Sequence, residues 1–344
     1  MKKKLLATLL CGVMVLSLAA CGHTAGTDSS ASADSTAATG DASGDTVYTI
    51  GIIQQLEHQA LDAATEGFED ALTELLGEDN VVFDYQNAQG ESANCATIAT
   101  KFVNDGVDLI MANATTALQS SAAATSEIPI VGTSITDYVT AGVIDDVDAP
   151  GTNVTGVSDL APIDQQIELL QQLVPDASKV AILYCSAEPN SQYQAEQAEN
   201  YLDEAGIEWE EYTVADSNEI QSVITNAISD CDCVYIPTDN TLADNMEIIK
   251  NTTVPAGIPV ICGEENMCSV GGLATLSISY YELGYKAGEM AYDILVNGAD
   301  PAEMAIEYVS ENVTPEYNAS IAADLGIDES LLEGLTVIEG TEVE

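Results

Sequence analysis

Hydroxyl, amide and carboxylate side chains follow directly after several β-prone segments of this 344-residue chain. In an open parallel sheet, ligands bind outside the carboxyl ends of the strands, so these positions are the first candidates for chemistry. Hydroxyls and the backbone N–H groups of a helix N-terminus suit a carboxylate, while Asp or Glu pairs with an ammonium group. The combination predicts a site for a small zwitterion. The segments concerned are 54–58, 113–116, 133–138, 186–191, 237–241 and 263–266.

The chain contains no arginine, and none of the lysines beyond residue 4 lies at the end of a predicted strand. Helix N-termini are therefore left as the main anchors for an anionic group. Thr115 and Thr116 are the best candidates for contacting a carboxylate. The candidates for the amine are Glu57, Asp137, Asp239 and Glu264. Helix capping without a ligand is the alternative role for Thr115, Asn190 and Asp239.

Other residue types favour binding over catalysis. His58 stands beside Glu57, yet the second histidine of the chain is His23, far from any predicted strand. No Gly-x-Ser-x-Gly, His-Glu-x-x-His or phosphate-loop pattern occurs. We expect neither an enzyme nor a cofactor. An aromatic wall for a flat ligand, or packing between lobes, could be formed by Tyr138, Tyr280 and Tyr281.

Six cysteines lie beyond residue 21, and their spacing does not match a zinc site. Several fall in apolar, strand-like runs, which favours buried free thiols over disulfides. We expect no metal site. These cysteines are Cys95, Cys185, Cys231, Cys233, Cys262 and Cys268.

The N-terminal residues predict export and a lipid anchor. Three lysines at 2–4 precede an apolar stretch at 5–16, which is too short to span a bilayer. Residues 18–21 read Leu-Ala-Ala-Cys, which resembles the bacterial lipobox that makes the cysteine, here Cys21, the acylated N-terminus. An ordinary signal peptide is the alternative. Residues 22–45 contain only Gly, Ala, Ser, Thr, Asp and one His, which predicts a flexible tether outside the cell.

The formal charge of the chain is −50. Nucleic acid and anionic lipid are therefore poor partners, because both need a basic surface. Beyond the tether roughly 300 residues remain, enough for two lobes of ordinary domain size.

Short β-branched segments alternate with amphipathic helical stretches, which predicts βα units and a parallel sheet. The order then repeats, so we expect an α/β fold of two doubly wound parallel-sheet lobes joined by a three-crossing hinge. The predicted strands are 48–53, 81–85, 107–112, 128–132, 180–185, 209–214, 233–237 and 258–262, and the crossings are 153–157, 273–278 and 305–309. The expected division is a leader at 1–20, a tether at 21–46, a first lobe at 47–156 plus 277–304, and a second lobe at 157–276 plus 305–344.

Several of these segments resemble the substrate-binding lipoproteins of ABC transporters of the tryptophan/tyrosine type. The matching runs are YTIGII at 48–53, EH at 57–58, ALD at 60–62, NAQG at 87–90, NVTGVSD at 153–159, PTDN at 237–240 and YYELG at 280–284. The resemblance implies a type I periplasmic-binding fold whose closed, ligand-bound form is read by a membrane permease. It also implies that the ligand is contacted by Glu57, Thr115, Thr116, Thr136, Asp137, Ser186, Asn190, Asp239 and Glu264.

The resemblance implies an aromatic amino acid as the ligand and ABC permease subunits as partners, and we expect the receptor to be a monomer. Three positions depart from the family pattern, since Gln59 and Tyr138 stand where proline is usual and Cys185 where asparagine is usual. They bear on which side chain the ligand carries. Another solute (a nucleoside, a sugar or a short peptide), a sensory ligand-binding module and a hydrolase on the same scaffold remain as alternatives.

Overall fold

The computed structural model describes residues 46–309 and 313–341. Cys21, the leader at 1–20 and the tether up to residue 45 lie outside these ranges. Among the helices in the described ranges, none combines the length and apolar character that crossing a bilayer requires.

The first lobe is built on a six-stranded parallel sheet with the strand order β11-β5-β4-β3-β1-β2. Its strands are β1 (Tyr48–Gln54), β2 (Val81–Asn87), β3 (Leu109–Asn113), β4 (Ile130–Ile135), β5 (Val154–Ser158) and β11 (Glu307–Tyr308). Its helices are α1 (Gln59–Leu76), α2 (Ser92–Asp105), α3 (Thr115–Ala124) and α10 (Tyr280–Tyr292).

The second lobe is built on a seven-stranded sheet with the order β13-β12-β10-β9-β8-β6-β7, in which β12 is antiparallel to β10. Its strands are β6 (Lys179–Cys185), β7 (Glu208–Val214), β8 (Cys233–Ile236), β9 (Val260–Cys262), β10 (Ala274–Ser277), β12 (Thr314–Tyr317) and β13 (Thr336–Val337). Its helices are α4 (Ile163–Leu173), α5 (Pro189–Ala205), α6 (Ile220–Ala227), α7 (Asn240–Ala243), α8 (Met246–Ala256), α9 (Glu265–Val270) and α11 (Ala319–Leu325).

Each sheet buries apolar side chains on both faces, as a parallel sheet covered by helices on two sides must. In the first lobe, Phe68 of α1 and Leu283 of α10 cover one face, while Phe102 of α2 covers the other. In the second lobe, α6 and α8 cover one face and α4, α5 and α11 cover the other. The predicted fold of two parallel-sheet α/β lobes is confirmed.

Helices α1 and α10 approach each other so closely that glycine is required at the contact. A Cβ atom added to Gly284 would lie 1.9 Å from the Ala64 carbonyl oxygen, and one added to Gly67 would lie 2.1 Å from the Tyr281 carbonyl oxygen. The tight contact fixes the start of α10, and with it Tyr280, against the first lobe.

The chain crosses between the lobes after β5, after β10 and after β11, and each crossing corrects an expected boundary. The second lobe was expected to begin at Val157, but β5 continues to Ser158 in the first sheet. Ser277 was expected in the first lobe, but it pairs with Thr314 in the second sheet.

Residues 305–309 were expected in the second lobe, but Glu307 pairs with Val157 in the first sheet. The buried side chain of Ile306 joins the first lobe's core, and its N–H donates to the Val147 carbonyl oxygen at 2.8 Å. This burial and pairing hold the segment in the first lobe, so the third crossing follows residue 309.

Candidate functional site

Two cavities lie along the seam between the lobes. The inner one is about 10 Å³, close to the volume that a single water molecule needs, and is lined by residues of both lobes. The outer one, at the mouth, is about 620 Å³, within the range of small-molecule sites. Chain neighbours line different cavities: Glu57 and Thr241 line the mouth, while His58 and Asn240 line the inner cavity. The His58–Asn240 pair therefore stands at the boundary between the two.

Buried polar atoms without a partner are concentrated at one edge of the first lobe. In the described ranges they belong to β3, to β4 and to the starts of the helices that follow β1 and β3. These three strands are neighbours in the sheet and end at the same edge. Native proteins leave few such groups, since each costs about 1–3 kcal/mol. Unused hydroxyls at this edge are therefore available to a ligand. The unpartnered atoms are His58 Nδ1, Asn113 Oδ1, Thr115 Oγ1, Thr133 Oγ1 and Ser134 Oγ.

The backbone at the same edge is strained. Ala114 has φ 82° and ψ 157°, a region that only glycine populates readily, and Ser134 has φ 58°. Ala114 occupies the N-cap of α3 and no side chain caps this helix, so the helix N-terminus keeps free N–H donors. One of its N–H groups, that of Thr116, donates to Gln55 Oε1 at 3.3 Å. Strained backbone beside unused hydroxyls and an uncapped helix start is typical of a binding site for an anionic group.

Asp159 lies at the first crossing and lines the inner cavity. Its Oδ1 accepts a hydrogen bond from the Thr136 hydroxyl at 3.1 Å, and its Oδ2 accepts one from the Tyr280 hydroxyl at 3.0 Å. Burial raises the pKa of this carboxyl to about 6. Both partners are hydroxyls that can rotate, so the carboxylate can accept a further donor without loss of a backbone bond.

Two more buried carboxyls line the inner cavity, Asp239 and Glu264. Asp239 caps α7, since it accepts hydrogen bonds from the N–H groups of Leu242 at 2.8 Å and Cys185 at 2.6 Å. Burial, followed by the nearby charge of Glu188, raises the pKa of Asp239 to about 8.

Glu264 caps α9 in the same way. Its carboxylate accepts hydrogen bonds from the N–H groups of Asn266 at 2.7 Å and Met267 at 2.6 Å. Burial raises the pKa of Glu264 to about 7, with a smaller contribution from Glu265. Asp239 and Glu264 are thus both helix caps and acidic walls of the cavity.

No lysine lines either cavity in the part of the chain that the structure describes. Lys101 pairs with Asp84 and Asp105, and Lys179 pairs with Glu210 at 2.5 Å and with Asp230. These are exposed pairs away from the seam. The carboxyls of the inner cavity therefore have no lysine beside them to offset the effect of burial, which raises their pKa values.

Within residues 46–309 and 313–341, two side-chain hydrogen bonds join the lobes directly. His58 Nε2 lies 3.1 Å from Asn240 Oδ1, and Gln194 Nε2 donates to the Thr136 hydroxyl at 3.2 Å. Thr136 in turn donates to Asp159. The second bond therefore connects the second lobe to the carboxylate at the crossing.

The nine residues predicted to contact a ligand fall into three groups by position. Asn190, Asp239 and Glu264 line the inner cavity, where Thr136 bonds to Asp159. Glu57 and Thr116 line the mouth, and Thr115 is the buried residue beside Thr116. Asp137 and Ser186 line neither cavity. Asp137 accepts a hydrogen bond from the Thr140 N–H at 2.6 Å. Ser186 is exposed, and its hydroxyl donates to the Val214 carbonyl oxygen at 3.1 Å.

The three candidate wall tyrosines have different surroundings. Tyr280 lines the inner cavity. Tyr138 is fully buried in the first lobe, where its hydroxyl lies 2.9 Å from the Gly132 carbonyl oxygen and 3.1 Å from the Val157 carbonyl oxygen and shares its one proton between them. Tyr281 is exposed and donates to Asp70 at 3.0 Å. Only Tyr280 is therefore placed to contact a ligand.

Three residues of the site were missed as candidates: His58, Asp159 and Gln194. Asp159 directly follows a strand and closes the segment at 153–159 that carries the family resemblance, which was a usable signal. Gln194 lies inside α5, and nothing in the sequence marks it. The six cysteines are all buried free thiols, as predicted.

Comparisons with known proteins agree with this architecture. The family model for ABC transporter substrate binding proteins matches residues 49–335. The tyrosine-binding protein of Clostridioides difficile (strain R20291) is 36% identical over 296 residues, covering 85% of this chain and 84% of that protein.

Two solved structures differ in how well they superpose on this chain. An ABC domain from Streptococcus pneumoniae in complex with L-Trp is 35% identical and superposes with a TM-score of 0.82. The match covers 85% of this chain and 100% of that domain. The ligand-free, open structure of a Clostridium difficile substrate binding protein with adhesive properties is 36% identical and superposes with a TM-score of 0.66. The match covers 85% of this chain and 99% of that protein. At nearly equal identity, the lobe arrangement here is closer to that of the L-Trp complex.

The two lobes and the connections between them have the type I periplasmic-binding fold. The family model spans most of the chain, and relatives above 30% identity cover 85% of it. The chain belongs to the family of ABC transporter substrate binding proteins.

Proposed function

We propose that this chain is the extracytoplasmic receptor of an ABC importer and binds an aromatic amino acid in the seam between its lobes. The observation that carries the proposal is the set of buried carboxyls and unpartnered hydroxyls with no lysine beside them in the described ranges. An ammonium group would supply the missing positive charge, and a carboxylate would use the free donors. A tyrosine-binding relative and a neighbour in complex with L-Trp support an aromatic side chain.

The two ends of the ligand would lie on different parts of the seam. Asp159 is the proposed ammonium partner, because its oxygens accept only rotatable hydroxyls, with Asp239 and Glu264 adding negative potential. Thr115, Ser134 and the N-terminus of α3 are the proposed carboxylate partners. The other proposed contacts are Glu57, Thr116, Thr136 and Asn190, which line the cavities or bond to Asp159.

Entry of the ligand requires the lobes to separate. The inner cavity, at about 10 Å³, is far smaller than an amino acid, and two hydrogen bonds close it. The bound ligand would hold the lobes together, and the permease would read this closed form. No reaction is catalysed in this account.

The lipobox-like residues at 18–21 support anchoring through an acylated Cys21, with residues 22–45 as the tether. Permease subunits in the membrane would be the protein partners, and the receptor would act as a monomer. Incorporation of a radiolabelled fatty acid into the wild-type chain but not into Cys21→Ala would test the anchor.

A thermal-shift screen of the proteinogenic amino acids tests the proposed ligand class. A true ligand at a hundred times its Kd adds about 2.7 kcal/mol to the free energy of unfolding. Tyrosine, tryptophan or phenylalanine should give the largest shift. A response to nucleosides, sugars or peptides but to no amino acid would overturn the proposal.

A further inference from the structure

His58 holds the N-cap position of α1, directly after the loop that leaves β1, and its ring lines the inner cavity. Its two nitrogens have different surroundings. Nε2 lies 3.1 Å from Asn240 Oδ1 across the seam, whereas Nδ1 is buried and has no hydrogen-bond partner. A buried imidazole nitrogen without a partner, on the wall of a binding cavity, indicates a contact that a ligand completes.

The surroundings of Asn240 fix the tautomer of His58. The Asn240 amide donates from Nδ2 to Glu188 Oε2 at 2.7 Å, which turns its oxygen towards His58. Glu188 is held in turn by the N–H groups of Asn240 at 3.0 Å and Thr241 at 2.9 Å. Oδ1 can only accept, so His58 Nε2 must carry the proton and donate.

The surroundings of His58 favour its neutral form. Burial lowers its pKa, against smaller opposing effects of the Asn240 hydrogen bond and the charges of Glu188, Asp62 and Asp244. With the single proton on Nε2, Nδ1 presents a lone pair to the cavity. The missing partner must therefore be a hydrogen-bond donor.

We propose that His58 is a ligand-binding residue whose Nδ1 accepts a hydrogen bond from the ammonium group of the bound amino acid. This inference rests on the proposed function. Asp159, Asp239 and Glu264 line the same cavity, so a cationic donor gains more there than a neutral one. A carboxylate would face the lone pair and the acidic wall, and is excluded from this end.

The same ring would then join ligand and lobe closure. A hydrogen bond received at Nδ1 polarises the imidazole and strengthens the donation from Nε2 to Asn240 in the other lobe. The ammonium group would in this way favour the closed form through a residue that it contacts directly.

The imidazole ¹⁵N spectrum of the full chain labelled at histidine tests the contact. The chain has two histidines, so His23 gives an internal reference. At pH 8, addition of L-tyrosine should move the Nδ1 resonance of His58, keep its Nε2 protonated and leave His23 unchanged. The analogue 3-(4-hydroxyphenyl)propanoate, which lacks the ammonium group, should not reproduce the shift. A shift equal to that of L-tyrosine would overturn the assignment to the ammonium.

Two substitutions separate the ligand contact from the lobe contact. His58→Gln places an amide nitrogen near the position of Nε2, which keeps the donor to Asn240 but removes the acceptor at Nδ1. His58→Asn places an amide oxygen near the position of Nδ1, which keeps the acceptor but does not reach Asn240. We expect at least a tenfold loss of affinity for L-tyrosine in His58→Gln and a smaller loss in His58→Asn, measured on variants with wild-type melting profiles.

Failure of this inference and failure of the proposed function give different results. If the wild-type chain binds L-tyrosine while Nδ1 of His58 does not move, the role of His58 is wrong and the proposed function stands. If His58→Gln binds as tightly as wild type, the same conclusion follows. If the wild-type chain binds no amino acid, the proposed function falls and this inference falls with it. The spectrum of the wild-type chain decides the matter even if a variant fails to fold.

Discussion

The Tyr280 hydroxyl donates a hydrogen bond to Asp159 Oδ2 at 3.0 Å, joining the first residue of α10 to the crossing that follows β5. Tyr280 and Asp159 are both buried, and both line the inner cavity. The pair therefore couples two of the three lobe crossings to the carboxylate that we propose as the ammonium partner. Movement at the hinge and occupancy of the site would act on the same two side chains.

Asp159→Asn should weaken the binding of L-tyrosine by about 10- to 100-fold, because a hydrogen bond to a charged group contributes about 1.5–3 kcal/mol. The substitution keeps the side-chain size, and both hydroxyl partners can rotate to suit an amide. Isothermal titration calorimetry measures the change. Asp137→Asn is the matched control, since Asp137 lines neither cavity, and it should bind as wild type. Equal losses in the two variants would contradict the role of Asp159.

Affinity should rise with pH. Burial raises the pKa of Asp159 to about 6, so the ligand-free protein holds a proton there at pH 5, and the ammonium must displace it. Affinity for L-tyrosine should therefore increase about tenfold between pH 5 and pH 8, measured by calorimetry. Asp159→Asn should flatten this part of the profile. Affinity that falls over this range would contradict the assignment.

The raised pKa of Asp159 also makes the free energy of unfolding of the ligand-free protein depend on pH. The folded pKa of Asp159 is above its unfolded value of about 3.9, so its contribution is full below about pH 4 and is lost as pH rises through about 6. Between pH 5 and pH 8, ligand-free Asp159→Asn should therefore lose less of its free energy of unfolding than ligand-free wild type. Denaturant melts at the two pH values measure this difference.

Thr115→Val should change stability and binding in opposite directions. The Thr115 hydroxyl is buried without a partner, so its removal should raise the free energy of unfolding of the ligand-free protein by about 1 kcal/mol. Binding of L-tyrosine should weaken, because the proposed carboxylate contact is lost. Thr155→Val is the control: the Thr155 hydroxyl donates to the Met304 carbonyl oxygen at 2.9 Å, so this variant should be destabilised. A destabilised Thr115→Val with unchanged affinity would count against the site.

Ala114→Gly should stabilise the ligand-free protein by about 1 kcal/mol. The backbone conformation of Ala114, at φ 82° and ψ 157°, costs a non-glycine residue about 1–3 kcal/mol, and glycine relieves this strain. The greater flexibility of glycine in the unfolded chain offsets about 0.4–1 kcal/mol of the gain. Ala117→Gly, in the interior of α3, should instead destabilise by about 1 kcal/mol. Denaturant melts measure both, and a destabilised Ala114→Gly would show that the backbone there is not strained.

Local patterns were sufficient to predict much of the fold. The β-branched segments at 48–53 and 180–185 became β1 and β6 within one residue at either end, because burial on both faces demands continuous apolar strands. The segment at 305–309 was assigned to the wrong lobe, because a two-residue edge strand leaves almost no periodic signal. Its place is decided by burial of Ile306, which is a tertiary effect.

The site was less predictable than the fold. Strand-end positions led to Asp239 and Glu264, which line the inner cavity. The same rule included Asp137 and Ser186, whose side chains make local turn and strand contacts. Gln194 reaches the seam because α5 runs beside it, and no sequence pattern encodes a contact between two lobes.

Calorimetric titration of the wild-type chain with L-tyrosine, L-tryptophan and 3-(4-hydroxyphenyl)propanoate at pH 8 tests the central claim most directly. If isolated carboxyls in the seam hold the ammonium group, at least one of the two amino acids should bind, and the analogue should bind at least tenfold more weakly than L-tyrosine or not at all. Equal affinity for L-tyrosine and its analogue, or no binding of either amino acid, would contradict it.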